Sequence, residues 1–423
     1  MTRRDAGYAA VLLVLGGTLL LRYATLDLGG DDLMWLRGES PTPFDDYRIV
    51  PRLFFRGLLA VLGPSAAAAL AMSFLFHAAN TLLLGVLAAK VTGARLAGWI
   101  AAGVFLVNPL TLFTLTWISC FSYIVGATLA LLSTLAFRKR NESPLWLFAA
   151  GAAYGVALLC CHELLFLPLV FAALAWKQKD LSRWTTVVFL AASASLAVGV
   201  NTAIYDFASR GLQSSRLWSW EFAVAFVSSV FSYNASLALA YPVSFFTRTS
   251  EMLRACFEEP GRWLISLAVF AVAWRIRWPA RSALAIALTA VALMTPYILR
   301  LYLMPDAASY HISYVLSGRV FYLPFLLIAI LAGVMGARLE ARTLRWLGCA
   351  AAIAYASVLL VYNRSDFLGL QVVPGRLVTG EGGTWSPYGG PPTAWPAVAL
   401  LIVLVMAIRS RRVHLLSDSG SNR

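Results

Sequence analysis

PLWLFAAGAAYGVALLCCHELLFLPLVFAALAW, Pro144 to Trp176, runs for 33 residues between Arg138-Lys139-Arg140 on one side and Lys177 on the other. A helix needs about 20 apolar residues to cross a ~30 Å hydrocarbon core. If both basic clusters lie on the same side of a bilayer, as the positive-inside bias favours, the chain must cross twice and turn near His162-Glu163. Both half-spans are then short. A Glu at the centre of a membrane helix costs about 2.5–3.5 kcal/mol on insertion scales. Glu163 is therefore read either as facing a hydrated cavity or as a polar residue capping the turn of a helix pair.

Working outward, the same pattern recurs. Hydrophobic residues make up 60% of the 423 positions and charged residues 13%, against roughly 45–50% and 25% in a soluble domain. A water-soluble fold has no place for that surface. Apolar runs are read as spans at about 7–26, 66–89, 96–113, 118–137, 144–161, 163–176, 184–204, 261–274, 281–303, 320–337, 343–362 and 394–408. The expected fold is all-α and polytopic, about 12 transmembrane helices (11–13) in a single integral membrane domain. Setting Arg3/Arg4 in the cytoplasm also puts Lys90/Arg95, Arg138 to Arg140, Lys177/Lys179/Arg183, Arg275/Arg277/Arg281, Arg338/Arg342/Arg345 and Arg409/Arg411/Arg412 there. Both termini are then cytoplasmic, with 409–423 as a tail. The first run reads as an uncleaved signal anchor.

The formal charge of +14 forms no contiguous basic patch, which argues against a nucleic-acid partner. Cys120, Cys160, Cys161, Cys256 and Cys349 show neither a disulfide framework nor metal-ligand spacing. No HExxH, Gly-rich phosphate loop, nucleophile elbow or CxxC occurs, so nucleotide hydrolysis and zinc catalysis are disfavoured.

In this topology 15 of the 20 acidic residues fall on the outer face, which makes that face the expected working surface. It carries three long segments, 27–65, 205–260 and 363–393, with the apolar part 221–246 read as re-entrant or interfacial. The first loop contains Asp31-Asp32, then Asp45-Asp46-Tyr47-Arg48-Ile-Val-Pro51-Arg52, then an amphipathic stretch from Leu53 to Leu62. A carboxylate at a membrane surface can act as general base towards a hydroxyl, and arginines can grip a phosphate in bidentate fashion. The plainer alternative is a solvated loop with mutual salt bridges. Arg48, Arg52, Arg56 and Arg319 lie near outer helix ends, where they either bind an anionic lipid headgroup or snorkel as anchors. His77, with Asn80 one turn later, reads as an interhelical hydrogen-bonding pair rather than a ligand.

These features, in this order, resemble the GT-C superfamily of membrane glycosyltransferases that use polyprenyl-phosphate-linked sugars. Asp31-Asp32 matches that family's acidic motif in the first outer loop, Tyr47-Arg48-Ile-Val-Pro51 is similar to its Tyr-Arg-Pro-like element, and His77 to the internal His of the next helix. Asn108-Pro109 leading to Trp117-Ile-Ser119, Cys161-His162-Glu163 and Arg319-Val-Phe-Tyr322-Leu-Pro324 look most like the transmembrane mannosyltransferases with tetratricopeptide repeats and their bacterial relatives, without the repeats. The chain departs from those relatives at Phe113, where they carry Glu, at His162, where they carry Lys, and at Gly318, where they carry Glu. Those departures leave donor identity and metal use open.

The resemblance implies an inverting transferase that moves a sugar from a polyprenyl-phosphate donor to an acceptor hydroxyl on a protein or glycan at the outer face. It implies Asp31 or Asp32 as general base, with Arg48, Arg52, His162, Glu163, Arg319 and Tyr322 as phosphate and donor contacts. No cofactor is assigned; a divalent cation is a candidate. The expected location is a bacterial inner membrane. A transporter or flippase of lipid-linked or small solutes and a non-catalytic family member are the alternatives, although residues 1–204 and 261–408 show no repeat of the kind many transporters have.

Overall fold

The computed structural model describes residues 6–10, 12–13, 16–17, 49–63, 66–106, 114–115, 120–177, 183–200 and 322–337. Among the described residues every regular element is helical. In chain order they are α1 (Ile49–Leu62), α2 (Ala66–Thr92), α3 (Arg95–Leu106), α4 (Phe121–Arg138), α5 (Pro144–Cys160), a 3₁₀ segment (His162–Phe166), α6 (Leu167–Lys177), α7 (Trp184–Val200) and α8 (Tyr322–Gly336). Two of these helices, over Ala68–Thr92 and Phe121–Arg138, are long and apolar enough to cross a membrane. The expected runs at 66–89, 96–113, 118–137, 144–161, 163–176, 184–204 and 320–337 each coincide with a helix over their described residues. Those at 261–274, 281–303, 343–362 and 394–408 lie outside the described residues, as do 205–260, 363–393 and the tail.

Local chemistry sets the helix ends. Gly63 and Gly93 adopt φ of 70° and 74° directly after α1 and α2, the left-handed conformation that terminates a helix at low steric cost. The Gly93 amide donates to the Ala89 carbonyl at 2.8 Å, and the Thr92 hydroxyl donates to the Ala88 carbonyl at 2.7 Å. α5 begins with Ser143, whose Oγ accepts from the Leu145 amide at 3.3 Å, and with Pro144, which has no amide hydrogen to leave unpaired.

Small residues govern how α2, α3 and α8 meet. A Cβ added at Gly85 would lie 3.1 Å from the Gly98 carbonyl oxygen, one added at Gly98 would collide with the Gly85 carbonyl, and one at Gly333 would collide with the Ala97 carbonyl. Backbone thus touches backbone, the usual arrangement where lipid supplies no hydrophobic drive between helices. α3 runs antiparallel to both neighbours: Gly85 faces Gly98 while His77 reaches Leu106, and Gly333 faces Ala97 while Tyr322 meets the Phe105 ring at 5.4 Å.

The turn anticipated near His162-Glu163 is present. α5 stops at Cys160, Cys161 is extended, and the 3₁₀ segment leads into α6. A straight helix would carry Tyr154 and Phe171, seventeen residues apart, about 25 Å from each other, yet their rings pack at 5.8 Å. The chain therefore folds back on itself. Phe137 and Phe189 join those rings, at 4.9 Å and 5.5 Å from Phe171, and lock α4, α5, α6 and α7 together. Gly126 on α4 leaves room for the turn: a Cβ there would sit 3.1 Å from Cys161 Cβ.

Basic residues from separate parts of the sequence meet at one end of this bundle. Arg138 donates through Nη2 to the Lys90 carbonyl at 3.0 Å, Arg183 through Nη1 to Asn141 Oδ1 at 2.7 Å, and Lys139 pairs with Glu142 at 3.7 Å. The N-terminal helical stretch runs alongside α3 in the same direction, Tyr8 packing on Trp99 at 5.6 Å and Leu12 beside Gly103. Its start thus lies towards the Arg95 end as well.

Candidate functional site

Two hydrogen-bonded clusters lie towards the other end, both on the first turn of α4. In the first, His77 and Asn80 of α2 converge on the hydroxyl of Tyr322, the first residue of α8. All three are buried. His77 Nε2 faces the Leu106 carbonyl at 3.4 Å, and a carbonyl only accepts, so in the neutral ring the proton sits on Nε2. Nδ1 is then an acceptor, and the Tyr322 hydroxyl donates to it at 2.9 Å. The same hydroxyl oxygen accepts from Asn80 Nδ2 at 3.1 Å, while the second hydrogen of that amide goes to the Ile124 carbonyl at 2.9 Å. Among the described residues Asn80 Oδ1 is buried without a hydrogen-bond partner. The interhelical role expected of His77 and Asn80 is what the geometry shows, although each bonds to Tyr322 and not to the other.

In the second cluster Glu163, 1% exposed, accepts from the Tyr123 hydroxyl at 3.4 Å and from the Cys161 thiol. The 3₁₀ segment and the extended Cys161 bring this carboxylate back over α4, which a continuous helix could not do. Tyr123 and Ile124 are consecutive, so the two clusters share one turn of α4.

Helix α1 closes the same end. Phe54 and Phe55 pack on Phe121, the first residue of α4, with ring centroids 5.3 Å and 4.9 Å apart. Arg52, half-buried, precedes Phe55 by three residues on α1. The stretch expected to be amphipathic packs Phe55 into the bundle, while Leu53, Val61 and Leu62 stay exposed.

Of the residues expected in a site, Glu163 and Tyr322 thus belong to separate clusters that share the first turn of α4, Arg52 lies on the helix packed against that turn, and the backbone of His162 opens the 3₁₀ segment there. Asp31, Asp32, Arg48 and Arg319 lie outside the described residues. Tyr322, expected to contact a donor, has its hydroxyl engaged by His77 and Asn80. Sequence reasoning missed Tyr123; the signal was a Tyr inside an apolar run, whose hydroxyl needs a partner when buried. Among the described residues no group of three or more His, Cys, Asp and Glu side chains is arranged to hold a metal ion, so the candidate divalent cation has no assigned ligands. No protein-family model, no curated protein and no solved structure matches this chain.

Proposed function

We propose that the chain is an integral membrane glycosyltransferase that moves a sugar from a polyprenyl-phosphate carrier to an acceptor hydroxyl at the outer face. The observation that carries this reading is that the hydrogen-bonded clusters of Glu163 and Tyr322 share the first turn of α4, with the helix that bears Arg52 packed on the same turn, at the bundle end opposite the basic clusters. Positive clusters mark the cytoplasmic side of a membrane protein, so the polar end is the outer one. The membrane setting draws support from Leu145, Phe148, Trp184, Val188 and Val198, apolar side chains exposed on α5 and α7; a helix that is apolar all round belongs in lipid or in a large core. About twelve crossings, cytoplasmic termini and a bacterial inner membrane complete the proposal.

In the proposed reaction the acceptor oxygen attacks C1 of the sugar, the C1–O bond to phosphate breaks, and Asp31 or Asp32 takes the acceptor proton. The polyprenyl phosphate leaves as an anion and needs no general acid. Arg48, Arg52 and Arg319 hold that phosphate as charge develops on it, with His162 as a further donor and Glu163 orienting His162. C1 inverts in a single displacement.

The test is transfer of labelled sugar from polyprenyl-phosphate donors by membranes carrying the wild type, Asp31→Asn, Asp32→Asn and Arg319→Ala. Transfer that vanishes in one Asp variant and in Arg319→Ala at equal expression supports the reading. No donor consumption, or variants that all match the wild type, sinks it and moves a transporter or a non-catalytic protein ahead.

A further inference from the structure

The cluster on Tyr322 is built for direction rather than for packing. An Asn amide has two hydrogens and Asn80 commits both, one to α4 and one to Tyr322, while its own buried oxygen has no partner among the described residues. A Leu–Phe pair would fill the same space at lower desolvation cost. What the polar groups add is a fixed position: an apolar helix against apolar neighbours has little to set its rotation, and directional bonds supply it. Tyr322 is the first residue of α8, and its hydroxyl is held from α2, which is itself bonded to the last residue of α3 and to the first turn of α4. Arg319 precedes Tyr322 by three residues, a tether of at most about 11 Å.

We infer that His77 and Asn80 are positioning residues: through the Tyr322 hydroxyl they fix where the chain enters α8 relative to the first turn of α4, the turn whose Tyr123 bonds to Glu163. The consequence for catalysis rests on the glycosyltransferase reading, in which Arg319 grips the phosphate; the positioning itself does not.

Two measurements keep these apart. The first is the rate at which a small maleimide labels Arg319→Cys, read by mass spectrometry, in otherwise native protein and with Tyr322→Phe, Asn80→Asp, His77→Asn or His77→Gln added. The Asn80→Asp carboxylate keeps the shape and loses both donors. The His77→Asn amide puts an acceptor near the Nδ1 position and so keeps the bond to Tyr322, whereas His77→Gln reaches the Nε2 position and keeps only the bond to Leu106. The inference expects labelling to change about fivefold, the effect of one lost hydrogen bond, in Tyr322→Phe, Asn80→Asp and His77→Gln, and to stay near the parent rate in His77→Asn.

The second measurement is donor KM in the same four replacements with Arg319 native, which should rise in the first three and recover in His77→Asn. Labelling that changes as expected in a protein with no transfer supports positioning and rejects the enzyme. Equal labelling in all variants, or His77→Gln behaving as native while His77→Asn does not, overturns the inference whatever the transfer assay gives.

Discussion

Gly98→Ala tests the packing of the bundle most directly. In a helix interior the exchange alone gains about 1 kcal/mol, because Ala loses less backbone entropy than Gly. At this position the new Cβ would run into the Gly85 carbonyl oxygen and sit 3.0 Å from Ala89 Cβ, and backbone cannot swing aside as a side chain can. α2 and α3 must move apart, an overpacking cost of about 1–3 kcal/mol. The net expectation is a loss of up to about 2 kcal/mol. Gly333→Ala should follow the same sign, since its Cβ would meet the Ala97 carbonyl. Gly199→Ala is the control: among the described residues nothing lies within 4 Å of a Cβ there, so the propensity gain is the expected effect. The assay is thermal unfolding of the purified chain in one detergent at matched concentration. Midpoints for Gly98→Ala and Gly333→Ala that equal or exceed the Gly199→Ala midpoint would refute the close backbone contact between these helices.

Three further outcomes are expected. Glu163→Gln keeps the side chain's size but turns one acceptor into a donor opposite a hydroxyl or a thiol; transfer should fall at least tenfold, the effect of about 1.4 kcal/mol, with thermal stability little changed, and unaltered transfer would remove Glu163 from the site. Ser143→Ala removes the cap of α5 and should cost about 1 kcal/mol of stability, leaving transfer per folded molecule as in wild type; a transfer defect at full stability contradicts its assignment as a cap. Cysteines introduced at Asn141 and at Leu62 should label with an impermeant maleimide from opposite sides of sealed vesicles, and labelling from the same side would break the proposed sidedness.

The helices and the turn at Cys161 were legible because both rest on local signals. Twenty or so apolar residues between charges read as a span, and two basic clusters flanking a run of 33 residues force a reversal. What each helix faces was not legible. α2, α5 and α7 carry apolar residues around most of their circumference, so periodicity does not mark a buried stripe. Gly85 and Gly98 look in sequence like any glycine in an apolar run, and only the fold shows them touching. The polar end was legible only in part. Glu163 stood out as a carboxylate in an apolar stretch, and its place at the polar end follows from the same turn. Tyr322 lies 245 residues from its partner His77; no local pattern records such a pairing, so the bonds of its hydroxyl to α2 are not legible in the sequence.

The way α2, α3 and α8 are held together differs along their length. Towards the basic end they touch backbone to backbone, at Gly85, Gly98, Gly333 and Ala97, with no room for adjustment. Towards the other end they are joined by side-chain hydrogen bonds among His77, Asn80 and Tyr322 and by the Asn80 bond to α4. Close packing resists displacement because it has no alternative arrangement of equal density. A hydrogen bond between side chains can be exchanged for one to water or to a ligand at small net cost. Movement of these helices should therefore pivot about the glycine contacts and open at the polar end, where Glu163 and Arg52 also lie; under the proposed transferase function, that is the end where a donor phosphate would enter and leave.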